Sequence, residues 1–147
     1  MTDRYLSDKE CVTRLLGEWN IHGNLIVAYD FDNTVYDYHK RGDKFEKVIG
    51  LIQKCKKLGC TVIVFTSCDE GRFQEIRKFL KDHDIPFDGI NENAQSVPFT
   101  GRKIYYNILL DDRAGLSASY NQLVEVLEMV ELNRNEEAIK NKQDIDF

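Results

Sequence analysis

Two aspartates one residue apart follow directly on an apolar run: Leu25-Ile26-Val27-Ala28-Tyr29 leads into Asp30-Phe31-Asp32-Asn33-Thr34. Two more apolar stretches end in polar clusters, Cys60 to Phe65 in Thr66-Ser67 and Ile108-Leu109-Leu110 in Asp111-Asp112. Clustered carboxylates repel one another, and a divalent cation is the usual remedy; hard oxygen ligands with room for water suit Mg²⁺. A metal beside Asp30 would lower the charge density and orient a bound phosphate. One carboxylate could then attack phosphorus to give an aspartyl-phosphate while the other moves protons. A hydroxyl from Ser67 or Thr66 and the ammonium of Lys103 would complete the phosphate's shell, and water would finish the cycle by hydrolysing the acyl phosphate.

For this chemistry the groups must share one edge of a sheet. The run before Asp30 has the continuous apolar character of a strand buried on both faces, as in a parallel sheet. Open α/β sheets bind ligands at the carboxyl ends of such strands, where Asp30 and Asp32 fall. Both side chains reach one pocket only if the chain leaves extended geometry right after Asp30, and Asn33-Thr34 favours that turn. Strands are expected at Cys60 to Phe65, Phe87 to Ile90 and Ile108 to Leu110.

Between them the spacing predicts helices. Ser7-Asp8-Lys9-Glu10 is a capping box with Leu6 and Cys11 as its hydrophobic staple; Cys11, Leu15, Leu16 and Trp19 share a face, and Gly23 ends the helix. Phe45 to Leu58 is a helix ended by Gly59. Gly71 to Asp84 is another, with Phe73, Ile76, Phe79, Leu80 and His83 inward. A long helix runs from about Ser117 to Leu132, with Tyr120, Leu123, Val124, Leu127 and Val130 inward. Residues 91–102 have no clear period and read as a loop; residues 133–147 read as a charged, solvated tail. Strands alternating with helices give an α/β fold on a parallel sheet.

The 147 residues suit one domain, 1–147, with an N-terminal helix over about 7–20 and a core over about 24–132. A net charge of −5 argues against a general nucleic-acid footprint, though it leaves a local one open. No apolar run approaches the roughly 20 residues of a membrane helix, and the N-terminus lacks the apolar core of a signal peptide. Cys11, Cys55, Cys60 and Cys68 have no CxxC spacing and read as reduced thiols, so a cytoplasmic location is expected.

Taken in order, these motifs resemble those of the haloacid dehalogenase (HAD) superfamily of phosphohydrolases. Asp30-Phe31-Asp32-Asn33-Thr34 resembles its DxDxT motif, Val62 to Ser67 its second motif, Lys103 the lysine of the third, and Leu110-Asp111-Asp112 the acidic pair of the fourth. The resemblance implies a three-layer sandwich around a central parallel sheet of Rossmann-like type. It implies Asp30 as nucleophile and Mg²⁺ ligand, and Asp32 as general acid/base that also ligates metal through its main-chain carbonyl. Asp111 and Asp112 would complete the metal shell, directly or through water. Small uncapped members often read apolar-Thr-Cys-Arg-Glu-Gly at the second motif. That places Ser67-Cys68-Asp69-Glu70-Gly71 in register and favours Ser67, with Asp69 where an arginine is expected. Those relatives are also similar at Asn91-Glu92-Asn93, Arg102-Lys103 and Asp111-Asp112-Arg113.

The intervals after the first and second motifs hold little beyond one helix and a loop, so no cap domain is expected and the site should be open. Tyr36, Tyr38, His39, Lys40 and Arg41 form the expected substrate-facing loop, with an ordinary solvated loop as the alternative. The leading expectation is a Mg²⁺-dependent phosphomonoesterase acting on a phosphorylated small molecule, a nucleotide by fold-level analogy, with a homo-oligomer left open. The alternatives are a receiver-type phospho-aspartate module, disfavoured by the order of the acids and hydroxyls along the chain, and a binding protein on the same scaffold.

Overall fold

The computed structural model describes residues 3–145. The apolar run becomes strand β1 (Ile26–Tyr29), buried at every position. It lies inside a four-stranded parallel sheet with β2 (Thr61–Val64), β3 (Gly89–Ile90) and β4 (Ile108–Leu110), in the order β3-β2-β1-β4. The chain thus steps outward from β1 to β2 to β3 and returns to the far side of β1. A crevice at such a reversal is where open parallel sheets bind ligands. The register makes the edge usable: Tyr29 pairs with both Val64 and Leu110, and Val64 with Ile90. The strands therefore end level, and the residues that follow them share one rim.

Four helices accompany the sheet: α1 (Asp8–His22), α2 (Glu46–Lys57), α3 (Phe73–Asp82) and α4 (Leu116–Ile145). Ser7 caps α1 by accepting the Glu10 amide at 3.3 Å, with Asp8 and Glu10 at the positive helix end. Gly23 closes it at φ 78°, in the left-handed region that glycine enters without Cβ strain. The staple expected between Leu6 and Cys11 does not form. Leu6 belongs to the 3-10 turn Arg4–Leu6 and is 84% exposed, while Cys11 donates its thiol to the Tyr5 carbonyl.

Alternating strand residues face two different layers. Leu25, Val27 and Tyr29, with Val62, Val64, Ile108 and Leu110, join the main core, to which all four helices contribute: Leu15 and Trp19, Ile52 and Cys55, Ile76 and Leu80, Leu123 and Leu127. Ile26 and Ile63 point the other way, onto Ala94, Val97 and Tyr106. The layer on that second face comes from the segment between β3 and β4, coil where a sandwich ordinarily has helices. This covering layer gives the continuous apolar runs their partners on both faces.

Two expectations about the helices change. His83 is exposed rather than inward, its ring stacked on Phe79 at 4.0 Å. The segment after Leu132 is not an irregular tail: α4 runs on to Ile145, about 45 Å in all at 1.5 Å per residue. No Gly or Pro interrupts 116–145, and Glu136, Glu137, Ala138, Lys140, Lys142 and Gln143 are strong helix formers. Its side chains from Leu132 to Asp144 are all exposed, so the solvated character holds; the expectation for residues 146 and 147 lies outside the described residues. The four cysteines are unpaired, Cys55 and Cys60 buried. No helix among the described residues is long and apolar enough to cross a membrane.

Candidate active site

At the level carboxyl edge of β1, β2 and β4 lies a cleft of about 390 Å³. Asp30 follows Tyr29 and is fixed from β4, its amide donating to the Leu110 carbonyl at 2.9 Å. The chain then folds back on itself. The Phe31 carbonyl accepts the amides of Thr34, Val35 and Tyr36 at 3.3, 3.1 and 3.0 Å, and Asn33 takes φ 61°. This is the departure from extended geometry that brings Asp30 and Asp32 to the same cleft, and both line it.

Asp111 and Asp112 arrive from the end of β4. Carboxylate oxygens of Asp30, Asp111 and Asp112 lie within 4.8 Å of one another. Asp111 accepts the Arg113 amide at 2.9 Å. The buried Thr34 hydroxyl donates to the Asp112 carboxylate at 3.3 Å and accepts its amide at 3.2 Å, tying the β1 turn to the β4 turn. Burial, with the Asp111 charge adding to it, pushes the Asp30 carboxyl up to about 6, while hydrogen bonds from the Thr66 hydroxyl and the Phe31 amide pull the other way.

The hydroxyls come from the end of β2. Thr66 is buried and held at both backbone groups by one side chain: its amide donates to Asn91 Oδ1 and its carbonyl accepts from Asn91 Nδ2, each at 2.8 Å. Asn91 follows β3 at φ 53°, a conformation asparagine tolerates better than most residues. Ser67 also lines the cleft but is exposed.

The remaining expected residues divide. Tyr38 and His39, ring centroids 5.2 Å apart, line the cleft. Their loop is organised by Asp37, whose carboxylate accepts the amides of Arg41 and Gly42 at 3.0 and 2.8 Å and is held below its ordinary pKa by them. Tyr36 packs instead against Phe31 and Phe79, and Lys40 and Arg41 are exposed away from the cleft lining. Lys103 does not line the cleft either; it is exposed in the coil before β4, whereas Arg113, next to the acidic pair, is among the residues that line it.

One group at the site was not anticipated. Arg72, from the 3-10 turn Glu70–Arg72 before α3, grips Asp32 with its Nη1 and Nη2 at 2.6 and 2.8 Å. The sequence points to an arginine near here, since Asp69 stands where one is expected and Arg72 is the next along, but it does not indicate Asp32 as the partner. The roles of Asn91 and Arg113 also emerge only from the fold.

No family model matches the chain, and no curated protein matches it. A solved structure of a conserved protein from Bacteroides thetaiotaomicron is similar, with a TM-score of 0.57 at 16% sequence identity, over 75% of this chain and 92% of that one. The likeness shows a shared fold.

Proposed function

We propose that this chain is a Mg²⁺-dependent phosphohydrolase of HAD type that works through an aspartyl-phosphate on Asp30. The observation that carries the reading is the meeting of Asp30, Asp111 and Asp112 in one cleft beside Asp32, Thr66 and Ser67. The donor set fits the metal: three carboxylates meeting in one cleft offer only hard oxygens, and the Asp111 charge adds to the burial that raises the Asp30 carboxyl. Asp30, Asp111 and Asp112 would hold Mg²⁺, with the Asp32 main-chain carbonyl as a further ligand by the family resemblance. When bound, the metal would neutralise phosphate charge and orient the phosphoryl group.

The chain's own groups carry the steps. One oxygen of Asp30 attacks phosphorus, and the bond from phosphorus to the leaving oxygen breaks. Asp32, at the cleft wall, moves the proton for the departing group; in the second half it takes one from the water that attacks the acyl phosphate, releasing inorganic phosphate and restoring Asp30. Thr66 and Ser67 offer hydroxyl donors to the phosphoryl oxygens. With Lys103 outside the cleft lining, Arg113 is the better-placed cation. Little encloses the cleft beyond the Tyr38-His39 loop, so the reading remains a phosphomonoesterase with an open site, acting on a small phosphorylated molecule such as a nucleotide.

The test is phosphate release from an aryl phosphate and a nucleotide panel, with Mg²⁺, with EDTA and with Asp30→Asn. Metal-dependent release lost in Asp30→Asn supports the reading. A folded, Mg²⁺-binding protein without turnover on the panel favours the non-catalytic binding role.

A further inference from the structure

Arg72 occupies a place that helix stability does not explain. It is the N-cap residue of α3 and makes no side-chain capping bond there. Serine, threonine, aspartate and asparagine are the stabilising choices at such a position, and a cation opposes the positive end of the helix. What the side chain does instead is reach 40 residues back in sequence to Asp32, each terminal guanidinium nitrogen on its own carboxylate oxygen, at 2.6 and 2.8 Å. Parallel two-point contact of this kind fixes the plane of both groups, which a lysine would not do.

The guanidinium is itself held. Its centre stands 5.4 Å from the Phe31 ring and 5.9 Å from each of Tyr36 and Tyr38. Phe31 is buried and stacks on Tyr36 at 5.0 Å, so this aromatic support belongs to the core. The Arg72 and Asp32 side chains are only 22% and 23% exposed, which limits screening by water and competition for the contact. Arg72 does not line the cleft, whereas Asp32 and Tyr38 do. It therefore acts on the cleft through them.

We infer that Arg72 is a positioning residue: it holds the Asp32 carboxylate in the orientation needed for proton transfer and ties that orientation to the Tyr38 loop. The inference rests on the phosphohydrolase reading. Placement of a catalytic group to within about 1 Å is worth on the order of a hundredfold in rate, so release of Asp32 should be costly in turnover and nearly silent in substrate binding.

The experiment is a double-mutant cycle on the full chain with Mg²⁺ and an aryl phosphate, using Arg72→Met, Arg72→Lys, Asp32→Asn and the double variant Arg72→Met/Asp32→Asn. Arg72→Met should lower kcat by about a hundredfold, with KM within about threefold and the Mg²⁺-induced rise in Tm retained. Arg72→Lys, which keeps the charge should Arg72→Met fail to fold, should still lose about tenfold in kcat. The double variant should turn over no more slowly than Asp32→Asn alone, because Arg72 then has nothing left to position. Independent, multiplying losses, or a change in KM alone, overturn the inference and leave the phosphohydrolase reading standing. Absence of turnover by the unmodified chain overturns both.

Discussion

The Thr34 hydroxyl stands between the amide and the carboxylate of Asp112, accepting from the first at 3.2 Å and donating to the second at 3.3 Å. The two residues are 78 positions apart in sequence. Their contact joins the turn that follows β1 to the turn that follows β4, so the carboxylates of both strands are held as one unit. A threonine side chain meets this need because one oxygen both donates and accepts.

Thr34→Val keeps the shape at a fully buried position and removes both bonds. The loss should be about 1–3 kcal/mol, since the Asp112 groups keep some access to water. Thermal melts with and without Mg²⁺ should show a lower Tm and a smaller rise on adding metal. An unchanged metal response would mean that Asp112 does not depend on Thr34 for its placement.

Asn91 is the corresponding support for Thr66. Asn91→Ala removes two bonds and places alanine at φ 53°, with an expected cost of about 2–4 kcal/mol. Asn91→Gly restores the backbone freedom without the bonds, so it should recover roughly 1 kcal/mol of that cost. If turnover depends on Thr66 being held, both variants should lose activity by a similar factor, whereas their stabilities differ. Steady-state rates beside chemical denaturation separate the two effects.

The Asp30 carboxyl, raised to about 6 chiefly by burial, makes the metal-free fold sensitive to pH. A group whose pKa is higher folded than unfolded contributes stability that is fully present below its unfolded value and lost as pH rises through the folded value. The metal-free protein should therefore lose about 1 kcal/mol from this group between about pH 4 and pH 6.5, after allowance for its solvent-facing part. Asp30→Asn should abolish this loss and melt higher than the unmodified chain at neutral pH without metal, while gaining nothing from Mg²⁺. Melting curves across pH, with and without EDTA, measure it.

The outer part of α4 should be dispensable for folding. Arg134 stands over the Trp19 ring at 5.8 Å and donates to the Leu58 carbonyl at 3.1 Å, whereas the side chains from Asn135 to Asp144 are exposed. A chain ending after Arg134 should keep its stability to within about 1 kcal/mol, and Arg134→Ala in the full chain should cost a similar amount. Urea denaturation of the two variants checks this.

Much of the site could be read from the sequence because each strand announces its own end. The apolar runs stop at Asp30, Thr66 and Asp111, and parallel strands that end level bring such residues to one rim whatever lies between them. The turn after Asp30 was legible for the same local reason, through Asn33. What escaped depends on contacts between distant segments. Nothing near Arg72 indicates that Asp32 is its partner, and Tyr36 could not be told from Tyr38 until the fold turned one toward Phe79 and the other toward the cleft. Lys103 matches a motif by type and order, but it lies exposed in the coil before β4 and does not line the cleft. The full extent of α4 escapes the sequence because an exposed helix has no apolar stripe to show its period; only the absence of Gly and Pro and the abundance of helix formers mark it.

The central claim is that Asp30 becomes phosphorylated, and the most direct measurement is acid quenching of the chain during turnover of an aryl phosphate with Mg²⁺, followed by mass spectrometry of its peptides. The account predicts one phosphoryl group, labile to hydroxylamine as an acyl phosphate is, on the peptide that carries Asp30, and none in Asp30→Asn or with EDTA. Turnover that leaves Asp30 unlabelled at every quench time, or a stable label on another residue, would contradict it.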